Sequence, residues 1–168
     1  MAKSRRGFTL IELLVVVLIM GILASMGVPY YYKTLETSKA TDSLAIGHLL
    51  GNANRMYLLD NPPPSVTPPS PISGKVDNTC NSAKCATATG GCRLIACSYV
   101  AQQDWDNGSY NLFVCAGGVG GGCCGANAVA CTSRKAGPGA PYSTWGYMFR
   151  SDGSCKELGT NPPACPKF

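Results

Sequence analysis

The sequence predicts an α+β chain: a long N-terminal helix whose second half packs on a small antiparallel β-sheet, with a disulfide-rich C-terminal region. Three observations carry that prediction. Residues 8–28 are almost uncharged and apolar, a helical period continues from them to about residue 60, and all ten cysteines follow residue 79. At 168 residues the protein has room for one domain plus an extended element, which excludes a large multidomain enzyme.

Residues 1–7 (MAKSRRG) are basic and sit where a targeting leader would. The stretch 8–28 (FTLIELLVVVLIMGILASMGV) holds one charge, Glu12. At helical rise it spans roughly 31 Å, the thickness of a bilayer core, whereas signal-peptide cores run to only about 7–15 residues. The length therefore favours a membrane anchor over a cleaved signal, although Ala24, Ser25 and Gly27 leave a small-residue cleavage pattern open.

From Pro29 the pattern becomes amphipathic, with Ile46, Leu49, Leu50, Ala53, Met56 and Tyr57 on one side and Lys33, Glu36, Lys39 and Asp42 on the other. Nothing between the two segments reads as a loop, so 8–28 and the continuation 29–61 form one helix of about 80 Å. His48 falls within it as an ordinary packing residue. Pro62, Pro63 and Pro64 remove three successive donors and end it.

Residues 62–168 then form a small head. A polar, Pro-rich loop over 62–74 precedes segments with strand-like length and content at 94–101, 109–115, 127–131 and 144–150, and Ser151-Asp152-Gly153 makes a hairpin turn into 155–158. The sheet has three to five strands, and the glycines at 117, 118 and 120–122 form a loop. With 11 Pro and 15 Gly in this region the core is thin, so packing against the helix and cross-links must compensate.

The cysteines stand at Cys80, Cys85, Cys92, Cys97, Cys115, Cys123, Cys124, Cys131, Cys155 and Cys165. No C-x-x-C pair and no nearby histidine supports zinc or c-type haem, so the spacing points to disulfides in an oxidising compartment, with no metal and no cofactor. Cys155 and Cys165, nine residues apart with Pro162 and Pro163 between them, suit a short cross-linked turn. The formal charge is +5, but Lys3, Arg5 and Arg6 lie in the leader; without them eleven basic face nine acidic side chains, scattered singly. That distribution indicates no specific nucleic-acid surface.

Glu12 is the most informative residue of the apolar stretch. An acid inside a membrane helix costs roughly 2.5–3.5 kcal/mol at the centre and less near an end, so it implies a cationic partner. With the leader removed, the nearby cation that every copy possesses is the amino terminus of Phe8. The simpler alternative is a helix-end carboxylate favoured by the N-terminal dipole. Pro29 deprives the Ser25 carbonyl of a donor, so Gly21 to Pro29 is the weakest part of the helix, open either to a kink or to local unwinding when subunits pack. Tyr30, Tyr31 and Tyr32 suit anchoring at the bilayer surface better than charge transport.

The run Arg6-Gly7-Phe8-Thr9-Leu10-Ile11-Glu12-Leu13-Leu14, with Gly21 and Pro29 downstream, closely resembles the N-terminus of type IV prepilins and of type II secretion pseudopilins. The resemblance covers residues 5–60; the head matches in general plan. It implies a type IV pilin-like fold, with cleavage between Gly7 and Phe8, N-methylation of Phe8, and Glu12 meeting the Phe8 amine of a neighbour, while Gly21 and Pro29 act in assembly. It implies as partners the inner membrane, a prepilin peptidase and methyltransferase, pilus or secretion machinery, and further copies of the protein in a helical filament. The implied product is a non-enzymatic fibre subunit, active in adhesion, twitching motility or DNA uptake. It begins as a single-pass precursor with its C-terminal domain outside the cytoplasm, then joins an extracellular pilus. A periplasmic pseudopilin is the alternative, and a membrane-anchored thiol or redox protein, suggested only by the adjacent Cys123-Cys124 and the many thiols, is more remote.

Overall fold

The computed structural model describes residues 8–61, 72–118 and 121–166. The leader 1–7 and most of the Pro-rich loop lie outside the described residues. The protein divides into two compact units, Met1–Glu36 and Thr37–Phe168, and helix α1 (Leu10–Asp60) runs without a break through Pro29.

In the first unit the large apolar side chains of α1, Leu10 to Val28, are all exposed. An 18-residue window has a mean hydropathy of 2.6 and none of it is buried. Helices shed apolar surface only by packing or by entering lipid, so this segment is built for one of those environments.

The second unit is a five-stranded antiparallel sheet against α1. The strands are β1 (Gly74–Val76), β2 (Tyr110–Val114), β3 (Ala128–Arg134), β4 (Gly146–Arg150) and β5 (Cys155–Leu158), ordered as in the sequence. Register places Leu112 opposite Thr132 and Thr132 opposite Tyr147, with Val114, Ala130 and Phe149 in the next row. Leu112, Val114, Ala130, Tyr147 and Phe149 form one core with Leu44, Leu50, Ala53 and Tyr57 of α1. The turn between β4 and β5 is the expected hairpin, with Gly153 at φ 90°.

The helix face that meets the sheet keeps Ile46, Leu50, Ala53 and Tyr57 of the apolar stripe read in the sequence but not the rest of it. Ala40, Ser43, Leu44, Gly47, Leu50, Gly51, Ala53, Asn54 and Tyr57 are buried, whereas Leu49 and Met56 are exposed. Size decides the difference. The Phe149 ring occupies the place where a Gly47 side chain would be, and Gly51 faces Val129 and Ala130, so the face that permits close approach is the one with the smallest residues. Glu36, read as solvated, is 6% exposed.

Segment 94–101 is not a strand. Helix α2 (Cys92–Ala96) and a turn through Ser98, at φ 64°, replace it. Disulfides join Cys92 to Cys80, in a short 3-10 helix (Asn78–Ser82), and Cys97 to Cys85. A short apolar run does not reveal its period, and here the cross-links set the local geometry. The edge strand β1 was not legible either; its three residues follow directly on the Pro-rich loop.

The opposite face of the sheet carries a second cluster, Cys115, Cys131 and Met148 with Phe113 beside them. The Gly-rich segment lies on it. A Cβ at Gly122 would stand 2.8 Å from the Phe113 ring, and one at Gly125 2.9 Å from Met148 Sδ. These glycines let backbone rest directly on sheet side chains.

Candidate assembly site

The N-terminal end of α1 is closed by a reciprocal pair. The Thr9 N–H donates to Glu12 Oε2 at 2.9 Å, the Thr9 hydroxyl donates to the same oxygen at 2.7 Å, and the Glu12 N–H reaches Thr9 Oγ1 at 3.4 Å. This is a capping box, and it satisfies donors that the first helical turn leaves open. Its signature, Thr-x-x-Glu at 9–12, is legible in the sequence, but reading Glu12 alone misses the part Thr9 plays. Among the described residues Glu12 Oε1 accepts no hydrogen bond, so one carboxylate oxygen stays available.

Phe8 precedes the helix and is 83% exposed; Gly7, the other half of the expected cleavage point, lies outside the described residues. Gly21 and Gly27 have no atom within 4 Å of an added Cβ, as fits positions on a bare helix. The Ser25 hydroxyl donates to the Ile22 carbonyl at 2.7 Å, one turn before Pro29. Glu12 and Pro29 are separated by roughly 25 Å of helix, so a single copy does not bring the assembly candidates together. Tyr30, Tyr31 and Tyr32 are exposed.

All ten cysteines are paired: Cys80–Cys92, Cys85–Cys97, Cys115–Cys124, Cys123–Cys131 and Cys155–Cys165. The adjacent Cys123 and Cys124 belong to different bridges, which together fasten the glycine segment to the end of β2 and to β3. The sulfurs of Cys115, Cys124 and Cys131 lie within 4.8 Å of one another, and each is occupied by a disulfide. Cys155–Cys165 closes the C-terminal loop, whose backbone is also held by Trp145 Nε1 donating to Thr160 O at 2.9 Å and Tyr147 OH donating to Pro163 O at 3.1 Å.

One buried polar residue escaped the sequence reading. Asn54 is fully buried and its Nδ2 donates to the Cys115 and Val129 carbonyls at 3.1 and 2.9 Å, pinning α1 to the ends of β2 and β3. His48 packs edge-on against Phe149, ring centroids 4.6 Å apart.

Residues 2–28 match the Prokaryotic N-terminal methylation motif. The type II secretion system core protein G of Escherichia coli strain K12 is 42% identical over 58 residues, 34% of this protein and 40% of that one. The Pseudomonas aeruginosa protein of the same name is 41% identical over 59 residues, 35% and 42% of the two lengths. The type IV major fimbrial protein FimA of Dichelobacter nodosus is 37% identical over 79 residues, 46% of this protein and 49% of that one.

Over this N-terminal stretch the protein is type IV pilin-like.

The matched part spans less than half the length of each of these relatives, and no solved structure matches. The long helix, antiparallel sheet and disulfides of this pilin-like protein agree with the α+β architecture expected from its sequence.

Proposed function

We propose that this pilin-like protein is a structural, non-enzymatic subunit of a type IV pilus filament. The observation that carries the proposal is the joining, in one helix, of an unburied membrane-length apolar segment to a methylation motif at its start. In this reading residues 1–7 are removed between Gly7 and Phe8, Phe8 is N-methylated, and residues 8–28 hold the subunit in the inner membrane until it polymerises. A peptidase with methyltransferase activity and an assembly machine are then its partners. The Cys-rich head 62–168, supported by the helix continuation 29–61, faces the exterior.

Glu12 supports subunit addition in this scheme. Its free Oε1 can receive the Phe8 amine of a neighbouring copy without the capping box being dismantled. Pairing in a low-dielectric filament core would then help set the axial offset. Gly21 and Pro29 give the intervening helix its freedom to adjust.

The 79-residue match to a fimbrial protein, longer than the 60 positions up to the end of α1, favours the pilus. The higher identity to secretion core proteins favours a second reading, a periplasmic pseudopilin. Electron microscopy of sheared native filaments with intact-mass analysis tests both. The pilus reading expects surface fibres whose main component begins at Phe8 with about 14 extra mass units, one methyl group. Fibres built of subunits still starting at Met1 would sink the whole assignment; processed subunits confined to the periplasm would favour the pseudopilin.

A further inference from the structure

We propose that Asn107 is a self-modification site: through a cyclic imide with Gly108 it converts to aspartate and β-linked aspartate, so that the loop before β2 records the age of the protein. This chemistry is independent of filament assembly.

Residues 107–108 are the sole Asn-Gly pair in the sequence, and the loop that holds them is fastened on both sides. On one side Trp105 N donates to Asn78 Oδ1 at 2.7 Å, Asn78 Nδ2 to Asp104 Oδ1 at 2.8 Å, and Asn78 N to Asp106 Oδ2 at 3.1 Å. On the other, Lys135 N donates to the Ser109 carbonyl at 3.0 Å, while Lys135 Nζ reaches the Asp106 carbonyl at 2.7 Å. Between these clamps Asn107 and Gly108 are exposed. The Asn107 N–H is held by Asp104 Oδ1 at 3.2 Å. Among the described residues neither the Asn107 side-chain amide nor the Gly108 N–H makes a hydrogen bond, and an added Cβ on Gly108 meets nothing within 4 Å.

Exposure, an unbonded side-chain amide and an unbonded Gly108 N–H leave both reacting groups open to the reaction. The Gly108 nitrogen attacks Asn107 Cγ, a bond forms between them, and the bond from Cγ to Nδ2 breaks; ammonia leaves with the proton from the Gly108 amide. Water then opens the five-membered imide at either carbonyl. One opening leaves aspartate at 107, the other routes the backbone through the former side-group carbonyl. The net exchange is ammonia for water, with no change of oxidation state.

The other asparagines lack one or more of these conditions. Asn61 and Asn161 precede prolines, which offer no N–H to attack. Asn54 is buried with its amide bound to two carbonyls, Asn78 and Asn81 donate to Asp104 and Gln103, and Asn111 lies within β2. Asn52 and Asn127 are followed by alanine, whose Cβ crowds the attacking nitrogen. The β-linked product inserts one methylene between two fixed clamps, and either product adds a carboxylate beside Asp104 and Asp106.

The test incubates the full-length protein, disulfides intact, in mildly alkaline buffer and maps its peptides over time. The peptide carrying residue 107 should gain about one mass unit, with β-linked aspartate there recognised by an isoaspartyl methyltransferase. Gly108→Ala should slow the change by roughly an order of magnitude, and Asn107→Gln should abolish it. Circular dichroism of both variants before incubation confirms that they are folded. An unchanged rate in Gly108→Ala, faster change at another asparagine, or a glycan on Asn107 of the natural protein, whose Asn-Gly-Ser is also an acceptor pattern, would overturn the proposal.

Discussion

The ring of Phe149 lies over Gly47, so that a Cβ built on that glycine overlaps the ring edge. Gly51, one turn on, meets Val129 Cγ2 at 3.4 Å and Phe149 Cβ at 3.7 Å, which is ordinary contact. The two glycines should therefore respond oppositely to alanine. Gly47→Ala should destabilise the head by about 1–3 kcal/mol through overpacking, whereas Gly51→Ala should gain up to about 1 kcal/mol of helix propensity. Thermal melts of the two variants, disulfides intact, check the sign; a Gly47→Ala protein at least as stable as wild type would show that Phe149 moves aside freely.

Asn54 should be costly to truncate. Asn54→Ala leaves two buried carbonyls without donors, a loss of about 1–3 kcal/mol, and Asn54→Asp should be worse because it turns an acceptor toward two acceptors. Denaturant titration of both variants measures the order. Equal stability of Asn54→Ala and wild type would mean that water replaces the amide.

Glu12 is tested most cleanly by two substitutions together. Glutamine at that position keeps the capping-box partner of Thr9 but carries no charge, while alanine loses both. If the carboxylate meets a neighbour's amine, Glu12→Gln and Glu12→Ala should both insert and be cleaved normally yet yield few surface filaments. If capping is its whole role, Glu12→Gln should behave as wild type and Glu12→Ala lose only about 0.3–1 kcal/mol of local helix stability. Filament counts beside the amount of processed membrane-bound subunit separate these outcomes.

The head should lose stability in mild acid through His48. Its pKa is lowered by desolvation first and by the charge of Arg55 second. The unfolded state takes up this proton near pH of about 6.5, and the folded one only at lower pH. The unfolded state thus binds more protons in between, so the contribution is complete above that value and is lost as pH falls toward the folded pKa. Asp77, Asp104 and Asp152, lowered mainly by hydrogen bonds from Thr79, Asn78 and Ser154, weaken the fold only at pH below about 3.9. Melting temperature against pH should show the upper step in wild type and not in His48→Leu; the same slope in both would assign it elsewhere.

Removing one bridge should act locally. In Cys155→Ser/Cys165→Ser the segment beyond β5 keeps its Trp145 and Tyr147 hydrogen bonds but loses its closure, at a cost of about 2–4 kcal/mol. Hydrogen exchange should rise in residues 159–166 while β2 and β3 stay protected. Exchange rising across the whole sheet would make this bridge part of the global core.

Much of the fold was legible because it depends on features local in sequence. A membrane-length apolar run, a helical period, three consecutive prolines and the Ser151-Asp152-Gly153 turn each act through nearby backbone, and β2 to β5 fall where their strand-like segments lie. Cys155 does pair with Cys165, but spacing alone does not select such a bridge, since the closer neighbours Cys80 and Cys85 pair elsewhere. The part played by Thr9 is local too, since its capping box needs only four consecutive residues, yet the lone charge of Glu12 masks it.

The sequence by itself determined the two-part plan, the long apolar segment with its single acid, and the presence of a cross-linked head. Only the tertiary structure decided which side of α1 meets the sheet, what became of segment 94–101, and how Cys123 and Cys124 divide between two bridges. Apolar periodicity counts large residues, but the buried face also takes in small ones such as Ala40, Ser43 and Gly47, because Phe149 needs the space at Gly47. Segment 94–101 bends into a helix and turn because Cys92 and Cys97 are tied to Cys80 and Cys85. Contacts between residues far apart in the sequence depend on shape and available volume, which no local pattern encodes.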